Sequence, residues 1–150
     1  MATPLKHSVL FILALLAADC WAADELQALR AKAEQGNVTA QLELGVRYET
    51  AWGVPQDSAA AAQWYRQAAE QGEAHAQEIL GMMYSTGEGV PQDYLEAYKW
   101  VTRAASTLTG PAHDQAEKNR QEIVAKMTAA QIAAAQETTR AWQPSPPQSK

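Results

Sequence analysis

Two histidines, each followed by a glutamate about one helical turn later, are the residues of this sequence best placed to do chemistry. Glu78 follows His75 by three positions, and Glu117 follows His113 by four. On a helix, either spacing puts an imidazole and a carboxylate on one face, where they can exchange a proton or bind a metal ion. Such pairs also occur by chance on solvated helix faces, and we favour that interpretation. We therefore predict no catalytic residue, no metal site and no cofactor.

The sequence contains none of the short signatures that arrange nucleophiles, metal ligands or phosphates in enzymes. HExxH, GxSxG, SxxK and glycine-rich phosphate loops are all absent. The glycines of WGV and GEGV fall in turns between helical segments, whereas a phosphate loop connects a strand to a helix. A cell-envelope hydrolase is therefore the weakest of the functions considered.

The charge balance argues against nucleic acid and anionic membrane surfaces as partners. The chain has 17 acidic and 12 basic residues, which gives a net charge of -5 at pH 7. The basic residues are scattered, so no patch could neutralise a row of phosphates.

Residues 1–22 have the features of a secretory signal peptide. Lys6 and His7 precede an uninterrupted apolar run from Val9 to Ala18, and a small residue, Ala22, follows at a suitable cleavage position. The run is about half of the ~20 residues that a helix needs to span a bilayer, so a permanent transmembrane helix is the weaker interpretation. We predict cleavage after Ala22 and a periplasmic or secreted mature protein.

The single cysteine, Cys20, lies within this predicted signal peptide. Cleavage after Ala22 would leave a mature protein without disulfides or thiol chemistry, which suits a bacterial periplasm. A lipoprotein signal with an acylated Cys20 is the alternative, although Asp19 stands where such signals have a small neutral residue.

The sequence repeats itself with a period of 36 residues. Residues 33–68 align without a gap to residues 69–104, and 18 of the 36 aligned pairs are identical. The shared frame includes the phrase GVPQD, which occurs at 53–57 and again at 89–93. Such a period, with no segment of alternating polarity, predicts an all-α solenoid of helix pairs.

Each repeat predicts two helices, and GVPQD is the turn between them. The apolar stripe of the first helix contains Leu44 or Leu80, and a glycine, Gly45 or Gly81, directly follows that leucine. The cost of this glycine, about 1 kcal/mol in helix propensity, indicates close helix packing. In the second helix, Asp57 or Asp93 caps the first turn, and Glu96 is expected to complete a capping box after Asp93.

Trp64 and Trp100 stand at the same position of the second helix and are predicted to lie in the core. The predicted helices are 24–35, 38–50, 57–71, 73–85, 93–107, 112–127 and 129–142. Thr128 and Gln131 form a capping box for the last of them. Residues 23–142 are predicted to form one domain in which 105–142 is a C-terminal cap, and the proline-rich residues 143–150 are predicted to be disordered.

The repeat frame resembles a known family. The pattern A-x3-LG-x2-Y, the GVPQD turn and A-x2-W-x3-A are similar to Sel-one-like repeats, which are relatives of the tetratricopeptide repeats. The resemblance covers residues 33–104 and implies a right-handed α/α superhelix that serves as a protein-interaction scaffold. It implies no substrate. The first copy departs from the family pattern at Ala51 and Trp52, where the second copy has Gly87 and Glu88.

One face of each first helix points away from the apolar stripe. With about 100° per residue, four positions in each copy fall roughly 140–220° from the stripe leucine. They are Thr39, Leu42, Val46 and Glu49 in the first copy, and His75, Glu78, Met82 and Ser85 in the second. In the resembling architecture this side lines the concave groove, so we assign these residues to partner binding.

Two interpretations of this predicted binding face remain open. Three of the four pairs differ in chemistry between the copies, as expected of a surface that reads its own ligand, but unconstrained solvated surface would differ too. The apolar side chains of Leu42, Val46 and Met82 need either a partner or a neighbouring helix.

Trp52 is a further candidate for partner binding. It stands in the turn where the second copy has Glu88. We favour packing of Trp52 against the N-terminal helix, and the alternative is an exposed anchor for a partner.

These features together predict a periplasmic adaptor that binds a protein or peptide and does no chemistry of its own. A periplasmic inhibitor or immunity-type protein directed against a secreted enzyme is the alternative.

Overall fold

The computed structural model describes residues 24–141. The predicted signal peptide at 1–22 and the predicted disordered tail at 143–150 lie outside this range. Between residues 24 and 141 the chain forms seven helices and no strand, which confirms the predicted all-α fold. None of these helices is long and apolar enough to cross a membrane.

All seven predicted helices are present, joined by short turns. They are α1 (24–34), α2 (Val38–Thr50), α3 (Ser58–Glu70), α4 (Ala74–Thr86), α5 (Tyr94–Thr107), α6 (Gly110–Val124) and α7 (Ala129–Arg140). Helix α6 begins at Gly110 instead of residue 112, because Pro111 fits the first helical turn, where no intrahelical N–H bond is lost. The predicted capping box of Thr128 and Gln131 opens α7.

The GVPQD turns end in the predicted N-caps of α3 and α5. The carboxylate of Asp57 accepts a hydrogen bond from a backbone N–H three residues on at 2.9 Å, and Asp93 accepts two from the first turn of α5. The expectation that Glu96 completes a capping box is wrong. Its carboxylate instead pairs with Lys99 and accepts a hydrogen bond from Trp100 Nε1 at 3.2 Å, because these partners lie one turn further along α5.

The glycines of the two first helices mark close helix packing, as predicted. A Cβ atom on Gly45 would lie 2.5 Å from the ring of Tyr65, and one on Gly81 would lie 2.5 Å from Val101 Cγ2 and 3.0 Å from the Ala97 carbonyl oxygen. Any side chain at these positions would separate α2 from α3 or α4 from α5. The two helices of each repeat therefore pack with their backbones close together.

The core contains Trp100 as predicted, but the main aromatic of α3 is not Trp64. Trp100 is 6% exposed and Tyr65 is 0% exposed, whereas Trp64 is half-buried against the cluster around Leu44. Tyr65 takes the inner position because Gly45 leaves room for its ring.

The repeat geometry continues beyond the two copies found in the sequence. Three side chains in the first turns of α2, α4 and α6 donate to a main-chain carbonyl eight residues earlier: Gln41 to Ala33 at 3.0 Å, Gln77 to Ala69 at 3.0 Å, and His113 Nδ1–H to Ala105 at 2.9 Å. Successive donors are 36 residues apart. Helix α1 therefore takes the place of a second helix in a preceding half-repeat, and α6 takes that of a first helix in a third unit.

Candidate functional site

His113 and Glu117, the second of the two histidine–glutamate pairs, each make a contact with a different residue. His113 uses Nδ1 for the repeat-type hydrogen bond to Ala105. Glu117 forms an ion pair with Arg120 at 2.6 Å, and this hydrogen bond is the main reason that the pKa of Glu117 lies below its ordinary value. His113 thus joins α6 to α5, whereas the ion pair of Glu117 lies within α6.

The first pair is also separated. His75 is exposed on α4, while the half-buried Glu78 accepts a hydrogen bond from Asn119 Nδ2 at 2.9 Å. Across residues 24–141, no group of three or more His, Cys, Asp or Glu side chains is placed to hold a metal ion.

Leu42 and Val46 of the predicted binding face contact a neighbouring helix. Both are half-buried and pack against the cluster that contains Leu80 and Met83 of α4. Met82 is likewise half-buried, against the cluster of α5 and α6. The apolar character of this face is thus largely explained by packing between successive repeats.

The remaining residues of the predicted face differ in accessibility. Thr39 and His75 are exposed, and Glu49 is half-buried. Ser85 is 2% exposed, so the expectation that it lies on an accessible face is wrong. The helical angle gives the direction of a side chain, but the neighbouring elements decide whether it reaches solvent.

Trp52 is exposed, and its expected packing against the N-terminal helix is wrong. The side chain is 63% exposed, and the guanidinium carbon of Arg47 lies 4.8 Å from its ring centroid. Arg47 is itself held by ion pairs with Glu25 at 2.6 Å and Glu43 at 2.8 Å, and the hydrogen bond with Glu25 is the largest cause of its raised pKa. The cation–π contact orients the indole and leaves most of its surface accessible.

A shallow depression gathers part of the predicted face on the side of the first helices. Its volume is about 250 Å³, and it is lined by Glu49, Glu78, Ile79, Met82, Met83, Thr86, Glu88 and Asn119. We call these eight residues the groove. It brings together Glu49, Glu78 and Met82 of the predicted residues, whereas Thr39, Leu42, Val46, Trp52, His75 and Ser85 do not line it.

The sequence analysis did not identify the other five groove residues. Asn119 stands 36 positions after Met83, a position that the predicted face does not include, so extending the register of that face past residue 104 gives Lys118 and not Asn119. Glu88 lies in the turn just before the second GVPQD phrase, and the comparison of copies assigned a binding role only to its counterpart, Trp52. Ile79 lies next to the predicted face, one residue beyond Glu78.

Three hydrogen bonds fix the carboxylates of the groove. Tyr65 Oη donates to Glu49 Oε2 at 2.5 Å, Asn119 Nδ2 donates to Glu78 Oε1 at 2.9 Å, and Ser58 Oγ donates to Glu88 Oε1 at 3.2 Å. Burial, followed by the hydrogen bond and charge of Glu49, raises the pKa of Tyr65 far above its ordinary value. Each carboxylate is therefore oriented by a neutral donor from another helix.

Comparison with known proteins identifies the repeat. Residues 38–73 and 74–106 each match the family model of the Sel1 repeat. A search of curated proteins gave no match.

Two solved structures show the same architecture. One is a protective antigen present in uropathogenic Escherichia coli strains that displays an SLR fold, with 34% sequence identity over 77% of this chain and a TM-score of 0.69. Another is a Sel1 repeat protein from Oxalobacter formigenes, with 40% identity over 60% of this chain and a TM-score of 0.56. The matched regions are 24% and 26% of those proteins, so this chain spans about a quarter of their length.

Proposed function

Since this chain belongs to the Sel1 repeat family, whose members generally mediate protein–protein interactions, we propose that it is an adaptor that holds a segment of a partner protein in the groove. Proteins of this family are typically non-catalytic scaffolds, and we extend that role to this chain. The observation that carries the proposal is the groove itself, where residues of α2, α4 and α6 meet around one depression.

The groove has the composition of a site for a protein side chain. Its apolar residues, which we call the apolar floor, are Ile79, Met82 and Met83, and its other residues are polar. A volume of about 250 Å³ is slightly below the roughly 300–1,000 Å³ of small-molecule pockets. One large apolar side chain of a partner would fill it, while the polar rim would contact the partner's main chain.

The scaffold around the groove is suited to binding without rearrangement. The contacts at Gly45 and Gly81 leave no space for a side chain between the helices of each repeat, and close-packed interiors have low compressibility. A preformed site lowers the entropic cost of ordering the protein on binding.

We also propose that the adaptor acts outside the cytoplasm. The support is the charged and apolar pattern of residues 1–22 described above. Mass spectrometry of the protein purified from its native cells should show an N-terminus at Ala23. Cell fractionation should recover the protein in the periplasmic fraction. Recovery from the cytoplasm with Met1 retained would remove this part of the proposal.

A photocrosslinking amino acid placed at two positions tests the groove in native cells. Thr86 is exposed and lines the groove, whereas Glu70 is exposed at the end of α3 and does not. A crosslinker at position 86 should capture one partner protein that position 70 does not capture. Equal crosslinking at both positions, in variants with wild-type melting temperatures, would contradict binding at the groove.

A further inference from the structure

We infer that the groove selects a segment in which a Lys or Arg lies beside a large apolar residue, an inference that rests on the proposed adaptor function. Three of its eight residues are glutamates, Glu49, Glu78 and Glu88, and none is basic. The whole chain is acidic, with a net charge of -5. A cationic partner would thus be attracted both to the protein and to this site.

None of the three groove carboxylates takes part in a salt bridge within residues 24–141. Among residues 24–141, the ion pairs are those of Arg47 with Glu25 and Glu43, Lys99 with Glu96, and Arg120 with Glu117. The groove glutamates take part in none of these. Their hydrogen-bond donors are a phenol, an amide and a hydroxyl, which orient a carboxylate without neutralising it.

The same hydrogen bonds leave acceptor capacity for a ligand. They occupy Oε2 of Glu49, Oε1 of Glu78 and Oε1 of Glu88, and a carboxylate has about four acceptor positions on two oxygens. Because the carboxylates are already oriented, they would lose less side-chain entropy on binding a partner's cation than freely rotating carboxylates would.

The apolar floor would bind the second part of the proposed segment, the large apolar residue that lies beside the Lys or Arg. Ile79 and Met82 are half-buried, and Met83, which also lines the groove, is buried. Methionine side chains adapt to different apolar shapes. The alkyl stem of a Lys or Arg can also lie on such a surface while its charged head reaches the glutamates. A charged ligand without an apolar neighbour would leave this floor uncovered.

A random peptide library selected on the purified protein tests both halves of the inference. We expect the peptides whose binding is blocked by Thr86→Trp to be enriched in Lys or Arg within a few positions of Leu, Ile, Met or Phe. Raising the salt concentration should weaken their binding, because the contacts are partly exposed.

The matched comparison uses two triple variants with the same net charge. Glu49→Gln, Glu78→Gln and Glu88→Gln together remove the charge of the groove and keep one acceptor oxygen at each position for the existing hydrogen bond. The control combines Glu34→Gln, Glu70→Gln and Glu137→Gln at exposed positions outside the groove. Affinity for the selected peptides should fall by about 1.5-fold to 5-fold per groove carboxylate, as typical for exposed ion pairs, and should change much less in the control.

The outcomes separate the inference from the proposed function. Groove-dependent peptides that lack Lys and Arg, or that bind both triple variants equally well, would overturn the cationic specificity and leave the adaptor function standing. A selection in which no peptide responds to Thr86→Trp, with the variant folded by circular dichroism, would refute peptide binding at the groove altogether.

Discussion

Replacing Gly89 with alanine would push a methyl group into the backbone of the neighbouring repeat, whereas the same replacement at Gly53 would not. The two glycines occupy the same position of the GVPQD phrase, with φ of +69° and +72°. A Cβ on Gly89 would lie 2.1 Å from the carbonyl oxygen of Ser58, but the nearest atom to a Cβ on Gly53 is an Arg47 nitrogen at 4.0 Å. Comparing the two alanine variants therefore isolates the contact between Gly89 and the backbone of Ser58.

The expected difference can be worked out from these distances. Both alanines would adopt a positive φ, which costs about 1–2 kcal/mol, and both would recover about 0.4–1 kcal/mol from the less flexible unfolded chain. These contributions are shared and cancel in the comparison. What remains for Gly89→Ala is overpacking, which typically costs about 1–3 kcal/mol. We expect the upper part of this range because the opposing atoms are backbone and have no alternative rotamer.

Urea denaturation of the two variants measures this difference. Gly89→Ala should be less stable than Gly53→Ala by about 2–3 kcal/mol, with an unchanged m-value. If both variants lose the same stability, the turn at Gly89 does not press on α3, and the packing of the two repeats deduced here would be refuted.

Asp93→Ala should cost about 1 kcal/mol of unfolding free energy because α5 loses its capping acceptor, while Asp93→Asn should cost less; equal losses in urea denaturation would contradict the cap. Because the pKa of Tyr65 is raised above its ordinary value near 10, its protonated phenol stabilises the fold fully below about pH 10, and this contribution is lost at higher pH. Tyr65→Phe should therefore flatten the alkaline decline of the unfolding free energy, and an unchanged slope would contradict this. Arg47→Met, which introduces the residue of the second copy, should increase acrylamide quenching of Trp52, measured as the difference from matched Trp52→Phe proteins; unchanged quenching would show that Arg47 does not hold the indole.

The helices could be predicted because their signals are local. Asp57 and Asp93 each cap a helix with their own side chain, and Gly45 and Gly81 announce close packing by their cost in helix propensity. The caps and the helix propensities depend on neighbours within one or two turns, so a single sequence is sufficient to recognise them. The 36-residue period then fixes the order in which the helices stack.

The groove could be predicted only in part because it depends on contacts between repeats. Glu49 and Ser85 occupy the same position of the two copies, but Glu49 lines the groove and Ser85 is buried. Tyr65 occupies the core position that was expected for Trp64 for a similar reason. The absence of a side chain on Gly45 leaves space for the ring of Tyr65, which is the next residue along α3. Helical periodicity does not specify what stands opposite a side chain.

The sequence by itself determined the repeat, its register and the ends of its helices, because hydrophobic period, caps and turn glycines act over a few residues. Only the tertiary structure decided which polar side chains meet: it brought Asn119 of α6 to Glu78 and Tyr65 of α3 to Glu49, and it left Trp52 exposed on Arg47. These contacts join residues that are 16 and 41 positions apart in two cases. They depend on how one repeat is rotated and spaced against the next, which side-chain packing over the whole solenoid sets.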